Sequence, residues 1–208
     1  MKDQILKKLQ ELNQKTKEIL FFNFIVSEVY DSIRINTETF QAKHVEIVKA
    51  LIESGIDVNF KSHNGNTALF FAKSKEVAEV LIQAGADVNF RNHAQSPPLF
   101  FARSKELAEV LIRNGADINA QNESNNSSLH YHSDQKIIEF LIQLGADAYI
   151  KNDDNQTPAE WHRKKGNSDL ADFIEQKAFE KATKLERKKL NQALPQSPKS
   201  SNNPQYRL

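Results

Sequence analysis

The chain contains no cysteine, which excludes a disulfide framework and any thiolate metal site. Its 208 residues include only six glycines, one methionine and one tryptophan. Neither charge is in excess: 28 Lys and Arg face 27 Asp and Glu. That balance removes the long-range field that draws a protein to nucleic acid or anionic lipid. No apolar run approaches the roughly 18–20 residues a bilayer span needs. The nearest candidate is Ile19-Leu20-Phe21-Phe22, interrupted by Asn23 and resumed by Phe24-Ile25-Val26. The Ser27-Glu28-Val29-Tyr30 that follows is not a small-residue cleavage site, so a secretory leader is not expected. Missing cysteine fits a cytoplasmic protein. What is present, 39% hydrophobic residues, suffices for one domain with a real core.

The chain also has an internal period. Gly85-Ala86-Asp87-Val88-Asn89 returns as Gly115-Ala116-Asp117-Ile118-Asn119, with Gly55-Ile56-Asp57-Val58-Asn59 before and Gly145-Ala146-Asp147-Ala148-Tyr149 after, each thirty residues apart. A period in this range means stacked copies of one supersecondary unit, each covering its neighbour. The same register pairs Leu51-Ile52 with Leu81-Ile82, Leu111-Ile112 and Leu141-Ile142, and aligns Ala42, Ala72, Ala102 and His132. These Leu-Ile pairs fall on short amphipathic helices, as in Val77-Ala78-Glu79-Val80-Leu81-Ile82. Ser74, Ser104 and Asp134 are predicted N-caps, with Glu76 and Glu106 in the first turn where the helix dipole favours an acid. Gly55, Gly85, Gly115 and Gly145 are predicted helix stops.

The residues that open each unit carry a resemblance. They read Thr67-Ala68-Leu69-Phe70-Phe71-Ala72, Pro97-Pro98-Leu99-Phe100-Phe101-Ala102, Ser127-Ser128-Leu129-His130-Tyr131-His132 and Thr157-Pro158-Ala159-Glu160-Trp161-His162, with a worn copy at Thr37-Glu38-Thr39-Phe40-Gln41-Ala42. Together with the Gly-Ala-Asp-x-Asn motif, this resembles the ankyrin repeat, whose unit is a β-turn and two antiparallel helices. The resemblance implies an all-α-dominated solenoid with helical caps at both ends. Its repeats would lie near residues 37–66, 67–96, 97–126, 127–156 and 157–176. The units run thirty residues instead of the family's thirty-three, with the loss between Ala72 and Gly85 and its equivalents. A first helix shortened by most of a turn, about 4.5 Å, is therefore expected. Lys164-Lys165-Gly166-Asn167 restores the length in the last unit. The motif histidine survives only as His130, and Phe70 and Phe100 replace it, which trades a hydrogen bond between units for apolar stacking.

At the ends, residues 2–18 read as a helix with Ile5, Leu9 and Leu12 on one face, and residues 19–30 as a segment packed over the first unit; together residues 1–36 form an N-terminal cap. A C-terminal helix is expected over 177–193. The Pro, Ser, Asn and Lys composition of 194–208 predicts disorder.

No independent chemistry stands out. All six glycines have structural roles, which leaves no phosphate cradle. His130 and His132 raise a metal site, but both occupy ordinary repeat positions and no carboxylate or thiolate cluster completes one. Ser and Asp serve as caps, so a catalytic triad has no separate support. No enzyme activity, cofactor or metal is expected. Two features break the period in a way that suggests recognition. Phe71, Phe101, Tyr131 and Trp161 recur one unit apart, on the inner helices that the resemblance places on the concave side. This row reads either as stacked core filler, the reading favoured here, or as a recognition stripe. The hairpin tips vary most: Lys61 and His63, then Arg91 and His93, make the first two basic, Glu123, Asp153 and Asp154 tilt the later two acidic, and Asn64 joins them as a candidate contact. Solvated turns look the same. The basic run Lys181, Lys184, Arg187, Lys188 and Lys189 lacks an aromatic platform and reads as a capping helix, not a nucleic-acid site. The expected function is a monomeric, non-catalytic module that binds a protein partner, without nucleic acid or membrane. Alternatives are an effector of an intracellular bacterium, secreted into a host cell, or a regulatory or inhibitory enzyme subunit.

Overall fold

The computed structural model describes residues 38–193 and, ahead of them, residues 7, 10–14, 16, 17 and 21. Among these, seven bounded α-helices and no strand occur. They are α1 (Glu38–Glu53), α2 (Lys75–Gln83), α3 (Lys105–Arg113), α4 (Ser128–Tyr131), α5 (Gln135–Leu144), α6 (Pro158–Lys164) and α7 (Ser168–Ala193). Two 3₁₀ turns, Ala68–Phe71 and Pro98–Phe101, precede α2 and α3.

Each outer helix begins at the residue the sequence marks. Ser74 Oγ accepts from the Val77 N–H at 3.3 Å, and Ser104 Oγ from the Leu107 N–H at 3.2 Å. Asp134 accepts from Lys136 and Ile137. Each cap satisfies N–H groups that have no partner inside the helix. At the other ends Gly85, Gly115 and Gly145 take positive φ, a conformation that costs a residue with a Cβ. The contraction of the inner helix goes further than one lost turn. In the units opening at Thr67 and Pro97 it is a single four-residue 3₁₀ turn, after which Ala72 and Ala102 are already extended. In the unit opening at Ser127 it is four α-helical residues. Only α6 reaches seven, and there Thr157 and Glu160 form a reciprocal capping box and Gly166 makes the restored turn.

The core is one continuous line along the stack. Leu69, Leu99 and Leu129 from the inner turns meet Leu81, Leu111 and Leu141 from the outer helices, all effectively buried. Each contributes about 1.5–3 kcal/mol by leaving water, but only because a neighbouring unit covers it.

Polar clasps fasten unit to unit. Asn59 accepts from the Asp87 N–H and donates to the Gly85 carbonyl, and Asn89 does the same with Asp117 and Gly115. Asn119 accepts from the Asp147 N–H. At the first unit this role passes to residues before α1: Gln14 donates to the Gly55 carbonyl and Lys17 to the Ser54 carbonyl. Phe21 is buried in the core and Leu12 packs against it. The rest of the expected 2–18 helix and 19–30 segment lies outside the described residues, as does the 194–208 tail. At the far end α7 runs unbroken for 26 residues through 176 and 177, where a boundary between repeat and terminal helix was expected. Leu170, Ala171, Ile174 and Ala178 are its buried face.

Candidate protein-binding face

The two residues at the end of each inner turn divide their work. Phe70, Phe100 and His130 point inward and are buried, while Phe71 and Trp161 are half-buried and Phe101 and Tyr131 are 36% and 44% exposed. Each inward ring touches the outward ring of the next unit. Phe70 meets Phe101 with ring centroids 5.6 Å apart, Phe100 meets Tyr131 at 5.0 Å, and His130 meets Trp161 at 6.4 Å. Phe101 and Tyr131 are themselves 6.3 Å apart. Tilted pairs of this kind add about 0.5–1.5 kcal/mol beyond the area they bury. The row is thus a staircase, in which one edge holds the units together and the other faces out. Tyr131 is fixed further by its hydroxyl, which accepts from Asn122 Nδ2 at 3.1 Å, and Trp161 lies beneath the Lys165 ammonium.

Three imidazoles bind the later units to one another. A carbonyl can only accept, so His132 Nε2–H donates to the Leu99 carbonyl at 3.0 Å and His162 Nε2–H to the Leu129 carbonyl at 3.1 Å. His130 accepts the Ser127 backbone N–H at Nδ1 and donates from Nε2 to the Gln156 carbonyl. His130, accepting at Nδ1, is therefore the neutral Nε2–H tautomer, and His132 and His162 carry a proton on Nε2. Burial pushes each below the usual histidine range, against the smaller upward pull of its carbonyl partner. His130 and His132 turn to different neighbours, and no cluster of three metal-binding side chains occurs among the described residues.

The tips form a second ladder, made of main chain. His93 N–H donates to the Asn64 carbonyl, Glu123 N–H to Ala94, and Asp153 N–H to Ser124. His63, Asn64, His93, Glu123, Asp153 and Asp154 all project from this ladder into solvent. Two basic residues near the tips have structural tasks. Lys61 sits over the Phe90 ring at 4.8 Å, and Arg91 Nη1 donates to the Gln95 and Gln121 carbonyls at 2.7 and 2.6 Å. Asp153 accepts from Asn125 at 2.6 Å and Asp154 lies 3.6 Å from the Lys164 ammonium. Gly65 is buried under the next tip, where an added Cβ would lie 2.6 Å from the His93 ring.

A family model for ankyrin repeats, in three copies, matches residues 39–92. Over that span the chain is built of ankyrin repeats. Beyond the matched span, the units from 97 to 167 repeat the same caps, stops and clasps. No curated protein matches the chain. Ankyrin repeats are generally protein–protein interaction modules and typically non-catalytic. No helix among the described residues is long and apolar enough to cross a membrane.

The ankyrin stack brings the expected site residues onto two parallel rows. Phe101 and Tyr131 stand at the centre of one, and the six tip residues follow the other. In sequence His132 stands out only beside His130 as a possible metal pair and His162 not at all, and neither reads as a fastening. Both sit in a column filled by alanine in earlier units, and the only available signal was a large polar residue in a small apolar position.

Proposed function

We propose that the protein binds a protein partner through the aromatic row Phe71, Phe101, Tyr131 and Trp161 on the concave face, together with the tip residues His63, Asn64, His93, Glu123, Asp153 and Asp154. The observation that supports this reading is the pair Phe101 and Tyr131. Two large rings, 36% and 44% exposed and 6.3 Å apart, are held rigid by the buried Phe70 and Phe100 beneath them. Rigid aromatics lose little conformational freedom on binding, so the ordering cost that offsets their burial is small. The tips add polar contacts that orient the partner more than they hold it. The mechanism is recognition by a preformed surface, with no turnover and no cofactor. The test is affinity capture with the wild type beside a Phe101→Ala/Tyr131→Ala double variant, with captured proteins quantified by mass spectrometry. The expected result is selective loss of a small set of partners. Equal recovery by both proteins refutes the aromatic face.

A further inference from the structure

The stack ends differently from the way it repeats. In the earlier units Asn59, Asn89 and Asn119 clasp the loop of the following unit. The equivalent of Asn119 in the next position is Tyr149, which clasps nothing and is 65% exposed. The earlier outer helices stop at glycine. By contrast, α7 meets Ala178 where a stop was due and continues to Ala193. Its overrun forms one wall of a groove of about 270 Å³, with Ile142, Ala148 and Tyr149 on the other wall and Ala178, Ala182 and Leu185 on the helix. Ile142 and Ala148 are the register equivalents of Ile112 and Ile118, which pack against the core. Ile142, Ala148 and Ala178 are its buried floor, 1%, 7% and 7% exposed, and Tyr149, Ala182 and Leu185 are its open rim, so the groove lies at the edge of the last inter-unit interface. Leu185, on the helix wall, is 51% exposed.

Charge says what fits there. Beyond Ala178 the helix carries Lys181, Lys184, Arg187, Lys188 and Lys189 against Glu180 and Glu186. Glu180 is already paired with Lys177 at 3.1 Å. None of the five cations has an ion-pair partner among the described residues. Lys181, Lys184 and Lys188, at i, i+3 and i+7, form a flank beside the Ala178, Ala182, Leu185 stripe. Asp147 is the acid that lines the groove, and it is outnumbered. The chain's own 194–208 segment carries Lys199 and Arg207 and no acid, so charge opposes its docking, and the same holds for the basic helix of a second copy. A nucleic-acid backbone would satisfy the lysines but leave the apolar groove exposed.

We infer that the open end of the stack, between the 145–149 loop and the overrunning half of α7, is a second docking surface. Its occupant is an acidic peptide segment of a partner protein that places an apolar side chain in the groove and carboxylates along the Lys181–Lys184–Lys188 flank. The surface is independent of the aromatic row, and the two can be tested apart. The probe is a phage library of random peptides selected on the immobilised full chain, with the recovered peptide measured by fluorescence anisotropy. The expected peptides are rich in Asp and Glu and carry a Leu or aromatic anchor. Their affinity should fall at least about tenfold with Leu185→Glu and with Lys181→Glu/Lys184→Glu, the loss expected when an anchor or a paired charge is removed. It should not change with Phe101→Ala/Tyr131→Ala. Far-UV circular dichroism checks that each variant folds, and Tyr149→Ala, a milder change at the groove wall, should weaken binding in the same direction. Neutral or basic peptides, affinity indifferent to the groove variants, or a library that yields no groove-dependent binder would overturn the inference. Equal or tighter binding of a short DNA duplex or of phosphatidylserine vesicles would overturn it as well, assigning the basic flank to polyanions.

Discussion

His132→Ala converts a late unit to the wording of the earlier ones, where Ala72 and Ala102 occupy the same position. Ordinarily a change toward the repeat's own pattern stabilises a solenoid, but here the opposite follows from the geometry. The His132 ring is buried, and its Nε2–H donates to the Leu99 carbonyl at 3.0 Å. Losing that bond costs about 0.5–1.5 kcal/mol net, and the carbonyl keeps only its long 3.3 Å bond from the Ala102 N–H. Emptying the ring's volume between tightly packed units adds a cavity term, which brings the total to about 2–4 kcal/mol. The loss should also depend on pH. Burial holds the folded ring's pKa below 6.5, and the nearby Asp134 offsets this only in part. The unfolded ring takes up a proton near that ordinary value of about 6.5. A depressed folded pKa means that the stabilisation is complete above the unfolded pKa and is lost as the pH falls through the folded one. The difference between wild type and variant should therefore be largest near about pH 8 and shrink by about pH 5. Urea unfolding followed by circular dichroism and by the single tryptophan, Trp161 in the last unit, measures it at both pH values. A difference under about 0.5 kcal/mol, or one equal at both pH values, refutes the argument.

Other substitutions test single elements of the same structure. Gly65→Ala and Gly85→Ala both force an alanine to positive φ, a cost of about 1–2 kcal/mol, but only at Gly65 does the new Cβ also meet His93, so its midpoint of urea unfolding should fall further. If the two fall equally, the tip is not packed as described. Ser104→Ala removes the cap of α3 and should cost about 1 kcal/mol, while Ser104→Asp should restore most of it. Asn89→Ala opens the exposed clasp onto Gly115 and Asp117, at a cost of about 1 kcal/mol or less, and should speed amide hydrogen exchange of the Asp117 N–H first. Uniform exchange changes along the stack would refute the clasp as a local fastening.

Much of the fold is written in spacing. Caps at Ser74, Ser104 and Asp134 and stops at Gly85, Gly115 and Gly145 are local chemistry, so a sequence displays them directly. The aromatic column was legible for the same reason, and the exchange of His for Phe70 and Phe100 pointed correctly to ring stacking between units. The length deficit foretold a shorter inner helix, but not its collapse to a 3₁₀ turn, because three missing residues do not say which hydrogen-bond pattern survives. His132 and His162 were invisible as fastenings, since their partners Leu99 and Leu129 are carbonyls thirty-three residues away and carry no side-chain signature. The tip ladder escaped notice on the same grounds. Its donors and acceptors are peptide groups, common to every residue except the donor that proline lacks.

That tip ladder separates what holds the molecule from what it displays. Because His93, Glu123 and Asp153 are fastened through their backbone N–H groups, their side chains can be exchanged with little effect on the stack beneath. The exceptions are Asp153, whose carboxylate also holds Asn125, and His93, whose ring lies over Gly65. A library randomised at His63, Glu123 and Asp154 should therefore yield mostly folded members, a display scaffold whose binding preference can drift or be rewritten independently of its stability.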